Sequence, residues 1–138
     1  MCTGKVEHAC STYRRIMHDL TIAEKARAAD KFLAWLRDKY PVANTKIHTE
    51  YPPVKSILNK YVTARLLYNG EEYKIEVAAA RPVNHVVQSV GHEYKHIRQV
   101  VLEGVPHSKI GNKEEIAAWA FSSSTMIEYH KEVGDNWR

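Results

Sequence analysis

One stretch constrains this chain more than any other: His92-Glu93-Tyr94-Lys95-His96, an HExxH pattern. On a helix, side chains four residues apart stand one above the other on the same face. Two imidazoles so placed can share one metal ion at about 2.0–2.1 Å each. Glu93 follows about 100° further round. From there its carboxylate reaches a water on such an ion without ligating the ion itself. The flanking residues agree. His85, Gln88, His96, Gln99 and Glu103 all fall within about 40° of His92 on a helical wheel. Val83, Val86, Val90, Tyr94, Ile97 and Val101 fall on the other side. The pattern predicts a helix over about 82–103 with an apolar back and a polar stripe centred on the histidines. The alternative is an exposed amphipathic helix whose histidines are only solvated.

The rest of the chain predicts what surrounds that helix. Thr21-Ile22-Ala23-Glu24 has the form of a capping box. Ile22, Ala26, Ala29, Leu33, Leu36 and Tyr40 then recur at steps of three and four, and Pro41 stops the run. Phe32 and Trp35 read as core or core-edge aromatics. A weakly patterned helix is expected over 6–19. The alternation of Thr45, Ile47 and Thr49 predicts a short strand over 44–50. A helical turn is expected over 54–60. Strands are expected over 61–68 and 71–79, joined by Asn69-Gly70, with both of those residues at φ > 0. Pro82 suits the first turn of the helix that follows, and Gly104 suits its end. Asn112 is the expected cap of a last helix over 113–133, with Ile116, Trp119, Ala120, Ser123 and Ile127 facing inward. The expectation is an α+β fold: a small antiparallel sheet of about three strands, packed on helices.

With 138 residues the chain is the size of one domain, expected to span 1–138. Its two cysteines, Cys2 and Cys10, argue against a secreted disulfide scaffold. Cys2, His8 and Cys10 match no common zinc-knuckle spacing. No apolar run approaches a membrane span, and the first residues lack an apolar signal core, so the expected location is cytoplasmic. The formal charge is +4 from 20 basic and 16 acidic residues. These are scattered, whereas nucleic-acid binders usually cluster them, so a nucleic-acid partner is not expected.

A catalytic zinc site usually takes three protein ligands and keeps a fourth position open. His92 and His96 supply two. A histidine six residues after His96 would mark one peptidase class, but Leu102 stands there. Glu115, 19 residues beyond His96, is the leading third ligand, with Glu114 beside it and His107 in the intervening loop as alternatives. Glu115 has a competing role: three residues after Asn112, it could complete a capping box.

Glu115-Ile116-Ala117-Ala118-Trp119-Ala120 resembles the E-A-N-x-F-A stretch of the ImmA/IrrE-type zinc metallopeptidases. His92, Glu93 and His96 match that family's HExxH, and Trp119-Ala120 matches its aromatic-Ala pair. Ile116 and Ala117 depart from the pattern, and Ser122-Ser123-Ser124-Thr125-Met126 stands where the family has a Met-Pro run. The element order is also similar to the gluzincin and SprT-like minimal zincin core. An ImmA/IrrE-type relative implies Glu115 as third ligand; an SprT-like one implies a histidine, here His107.

The resemblance implies a Zn²⁺-dependent metallopeptidase with Glu93 as general base. The strand over 71–79 would offer its edge to an extended protein or peptide substrate. His107, Tyr129 and His130 are candidate oxyanion donors. Gln99 would steady a ligand or the chain beyond the helix. His85, roughly 10 Å along the axis from His92, is too far to share the ion. So small a domain has little room for specificity pockets, which points to a targeting partner protein. Two rival readings remain: a zincin-fold interaction protein that cleaves nothing, and a small nucleic-acid-associated regulator.

Overall fold

The computed structural model describes residues 20–58 and 61–134. Cys2, His8, Cys10 and the helix expected over 6–19 lie outside the described residues. The order is α1 (Ile22–Lys39), β1 (Lys46–Glu50), β2 (Ala64–Tyr68), β3 (Glu72–Val77), α2 (Val83–Val101), a 3₁₀ turn (His107–Lys109) and α3 (Asn112–Val133). Among the described residues the fold is α+β: three helices on a three-stranded sheet.

α1 begins as the capping box requires. The Glu24 N–H donates to Thr21 Oγ1 at 3.1 Å, and the Thr21 N–H donates to Glu24 Oε1 at 3.0 Å. Its buried face runs through Ala28, Ala29, Phe32, Leu33 and Leu36, while Ile22 stays exposed. This face is turned slightly from the expected stripe, because Phe32 supplies more apolar area than Ala26 and takes the inward place.

The sheet is mixed rather than antiparallel. β3 lies in the middle, parallel to β1 and antiparallel to β2. A parallel pair needs a crossover of a dozen or more residues. The stretch between β1 and β3 is long enough to supply it, and β2 forms within it. Flanked on both sides, β3 buries Tyr73, Ile75 and Val77. The hairpin turns one residue later than expected. Asn69 and Glu72 face each other, and Gly70, at φ +97°, is the first central residue. That is the type II′ position for glycine. Asn69 needs no positive φ; its Oδ1 accepts from the Glu71 and Glu72 N–H groups, each at 2.9 Å. The helical turn expected over 54–60 is absent from residues 54–58. The Ala79 N–H donates to the Pro52 carbonyl and the Ala80 N–H to the Val54 carbonyl, tying this irregular stretch to the end of β3.

α2 is the central element, packed on α1, on β3 and β2, and on α3. Val83, Val86, Val87, Val90, Tyr94 and Ile97 are buried against α1 and the sheet. The middle of its polar stripe, His92, His96 and Gln99, is buried as well, because α3 covers it, while His85 and Glu103 at its ends stay exposed. α3 does this with Ala118, Ser122 and Thr125, not with the residues expected to face inward. Ile116 is 70% exposed and Ile127 60%. Close approach explains the choice. A Cβ on Gly91 would stand 2.7 Å from Ser122 Oγ and 3.0 Å from the Phe32 ring. At that separation only small side chains fit between the two helices. Gly91→Ala is expected to lower stability by about 1 kcal/mol. Overpacking costs roughly 1–3 kcal/mol, and the gain in helix propensity offsets up to about 1. Urea denaturation checks this; an unchanged midpoint would show that the helices part freely. No helix among the described residues is long and apolar enough to cross a membrane.

Candidate metal centre

Two helices contribute one group of donors. The 3.6-residue repeat of α2 places His92 and His96 on the face toward α3, both nearly buried. Their rings meet edge-on, 88° apart with centroids at 4.6 Å. α3 adds Glu115. Its Oε1 lies 2.6 Å from His96 Nε2 and its Oε2 3.2 Å from His92 Nε2. The two Nε2 atoms are 3.1 Å apart.

The competition between Glu114 and Glu115 is decided by where α3 begins. The cap is Gly111, not Asn112, and the residue three on is Glu114. Glu114 Oε1 accepts the Gly111 N–H at 2.9 Å. Glu114 therefore serves the helix terminus, and Glu115, about 100° further round, is turned to the histidines.

The donor set fits a metal ion. Ligands at about 2.0–2.1 Å from a tetrahedral centre stand about 3.3 Å apart. The separations of 2.6, 3.1 and 3.2 Å are close to that. His92, His96 and Glu115 are the one such group among the described residues. The two histidines form a closed wall, while the Glu115 side chain is 46% exposed, so the group opens to solvent on that side.

Burial sets the electrostatics. Glu93 is 5% exposed, and its Oε2 has no hydrogen-bond partner among the described residues. Burial pushes its carboxyl up to about 8, and the Glu115 carboxylate acts in the same direction. His92 moves the other way: burial lowers its imidazole, Glu115 opposes this, and His96 adds to the fall. His92 Nδ1 is also buried without a hydrogen-bond partner among the described residues. Without a metal, the centre thus favours a protonated Glu93 beside a neutral His92.

The other candidates are placed as follows. Gln99 joins the site: its Oε1 is 2.7 Å from His96 Nδ1, and its Nε2 donates to the Glu114 carbonyl at 3.0 Å. His107 does not join it. Its Nε2 is 2.9 Å from the Tyr73 hydroxyl, and its ring stacks on Tyr68. Tyr129 packs against Phe32 and Trp35. His130 Nδ1 lies 3.1 Å from the Gly134 carbonyl. Both are on α3 but roughly 21 Å or more along the axis from Glu115, too far to donate to a group held there. His85 is exposed.

Sequence reasoning placed Trp119 in the core. It is instead 44% exposed and lies over His92, with centroids 4.0 Å apart. The steps of three and four on α3 gave no sign of this, because they trace the outer face. No protein-family model matches this chain, and neither a curated protein nor a solved structure does.

Proposed function

We propose that the chain is a zinc-dependent metallopeptidase with a minimal zincin core. One observation carries this: three donor atoms from two helices converge within 2.6–3.2 Å of one another, with a buried carboxyl one residue after the first ligand. His92, His96 and Glu115 would hold the ion. Two nitrogens and one carboxylate oxygen suit zinc. When bound, zinc would supply a Lewis acid for the scissile carbonyl and lower the pKa of water.

The protein's own residues do the rest. Glu93 does not ligate; it takes a proton from the attacking water and returns it to the departing amine. In the metal-free chain its pKa stands well above the ordinary carboxylate range, and a cation next to it draws that value back toward neutrality, where a general base works. The half-exposed side of Glu115 leaves a way in for substrate.

β3 is not the strand that receives a peptide, since both its edges are occupied. Among the described residues β2 is an edge strand, and α2 packs on it. The Asn69 N–H donates to Glu72 and the Ala78 N–H to Thr63, which makes positions 65 and 67 the inward-bonded members of β2. The N–H and C=O groups of Ala64, Leu66 and Tyr68 therefore point to the free edge, spaced to accept an added strand.

The test is direct. Purified protein is expected to carry one zinc per chain and to cleave a denatured protein. Chelation should remove the activity and zinc restore it. A zinc-loaded chain that leaves every member of an unbiased peptide library intact would end the peptidase reading while keeping the metal centre.

A further inference from the structure

α2 and α3 are joined by two glutamines, one on each side of the histidine pair. Gln88 Nε2 donates to Ser123 Oγ at 3.0 Å, and Ser122 Oγ donates back to the Gln88 carbonyl. Gln99, 2% exposed, bridges His96 to the Glu114 carbonyl. Only the second bridge touches a ligand.

The Glu114 carbonyl can only accept. The amide nitrogen of Gln99 must therefore face it, which turns Oε1 toward His96. Oε1 can also only accept, so the proton of a neutral His96 must sit on Nδ1. Nε2, which faces His92 and Glu115, is then left with its lone pair. A carboxylate 2.6 Å from Nε2 would by itself draw the proton to that nitrogen. The Gln99 bridge holds it on the other side of the ring. The same amide anchors the peptide group just before Glu115.

We infer that Gln99 is a positioning residue for the metal centre. It fixes His96 as the Nδ1–H tautomer and holds the start of α3 where Glu115 meets the histidines. This rests on the metal-centre reading, but its first consequence belongs to the metal-free protein and is measured there.

The experiment compares wild type, Q99L, Q99E and Q88L, using His96 ¹⁵N chemical shifts at pH 8 in the metal-free protein and zinc affinity against a chromophoric chelator. In wild type the proton should be on Nδ1. In Q99L it should move to Nε2, and zinc affinity should fall about 10–100-fold, the usual cost of losing an outer hydrogen-bond partner of a ligand. Q99E loses the donor to the Glu114 carbonyl but retains an acceptor for Nδ1–H and should keep the proton on Nδ1, which also covers the case that Q99L does not fold. Q88L removes a bridge between the same helices and should change neither reading. Three results would each overturn the inference: Nδ1–H with undiminished affinity in Q99L, an Nε2–H tautomer in Q99E, or a loss in Q88L equal to that in Q99L. Wild type that takes up no zinc would count against the metal reading alone, and the tautomers would still decide the role of Gln99.

Discussion

Glu93→Gln should leave the zinc bound and reduce hydrolysis by about 10²–10⁴-fold, the usual contribution of a positioned general base. The amide keeps the size of the side chain and cannot take a proton. Zinc content should not change, because none of the three converging donor atoms belongs to Glu93. A variant that cleaves as fast as wild type would remove Glu93 from the mechanism. The same substitution has a second signature, in the metal-free protein. The Glu93 carboxyl is raised from 4.5 to about 8 by burial. A raised pKa means that the folded state prefers the protonated form. The associated stability is fully present below about 4.5 and is lost as pH rises through 8. Metal-free wild type should therefore lose about 3 kcal/mol between pH 5 and pH 8 from this group. Glu93→Gln should lack that slope. Urea midpoints at the two pH values measure the difference, and parallel curves would mean that the carboxyl is solvated.

Glu115→Ala should weaken zinc binding by more than the roughly 10–100-fold cost of losing an outer hydrogen-bond partner, because it removes a donor from the ion itself. His107→Ala should not, since His107 is engaged with Tyr73 and Tyr68. Glu114→Ala should cost stability, about 1 kcal/mol from the lost cap, with only a modest change in affinity. The three variants form one comparison by zinc competition. If His107→Ala loses the metal and Glu115→Ala keeps it, the third ligand is in the loop. A consequence for stability accompanies it. Zinc at 1,000 times its dissociation constant should stabilise wild type by about 4 kcal/mol, and Glu115→Ala by much less at the same concentration.

The parts of this molecule that were legible in its sequence rest on short-range rules. Thr21 and Glu24 specify a cap between themselves, and Pro41 disfavours a helical Tyr40 by local sterics, so α1 stops there. His92 and His96 need only a helix to share a face. The parts that were not legible depend on distant partners. Nothing in the residues 46–50 says that β1 will lie parallel to β3, since that depends on the path of the chain between them. The inward face of α3 differs from its apolar stripe, although such a stripe usually marks the buried side. Here Ser122 fits against Gly91 and Ala118 is buried too, while Ile116 and Ile127 stay outside. The spacing from His96 favours Glu115 over Glu114 as the third donor, but it leaves open which of them caps the helix. A one-residue difference in the cap, Gly111 rather than Asn112, gave each its task.

The way α3 is seated separates two kinds of change. Gly111, Glu114 and the small residues facing α2 seat it, and none of them belongs to the outer pair Ile116 and Ile127. Ile116 and Ile127 are free to drift across a lineage while His92, His96 and Glu115 stay in register. A descendant could acquire a new binding surface along that flank and inherit the chemistry beneath it unaltered.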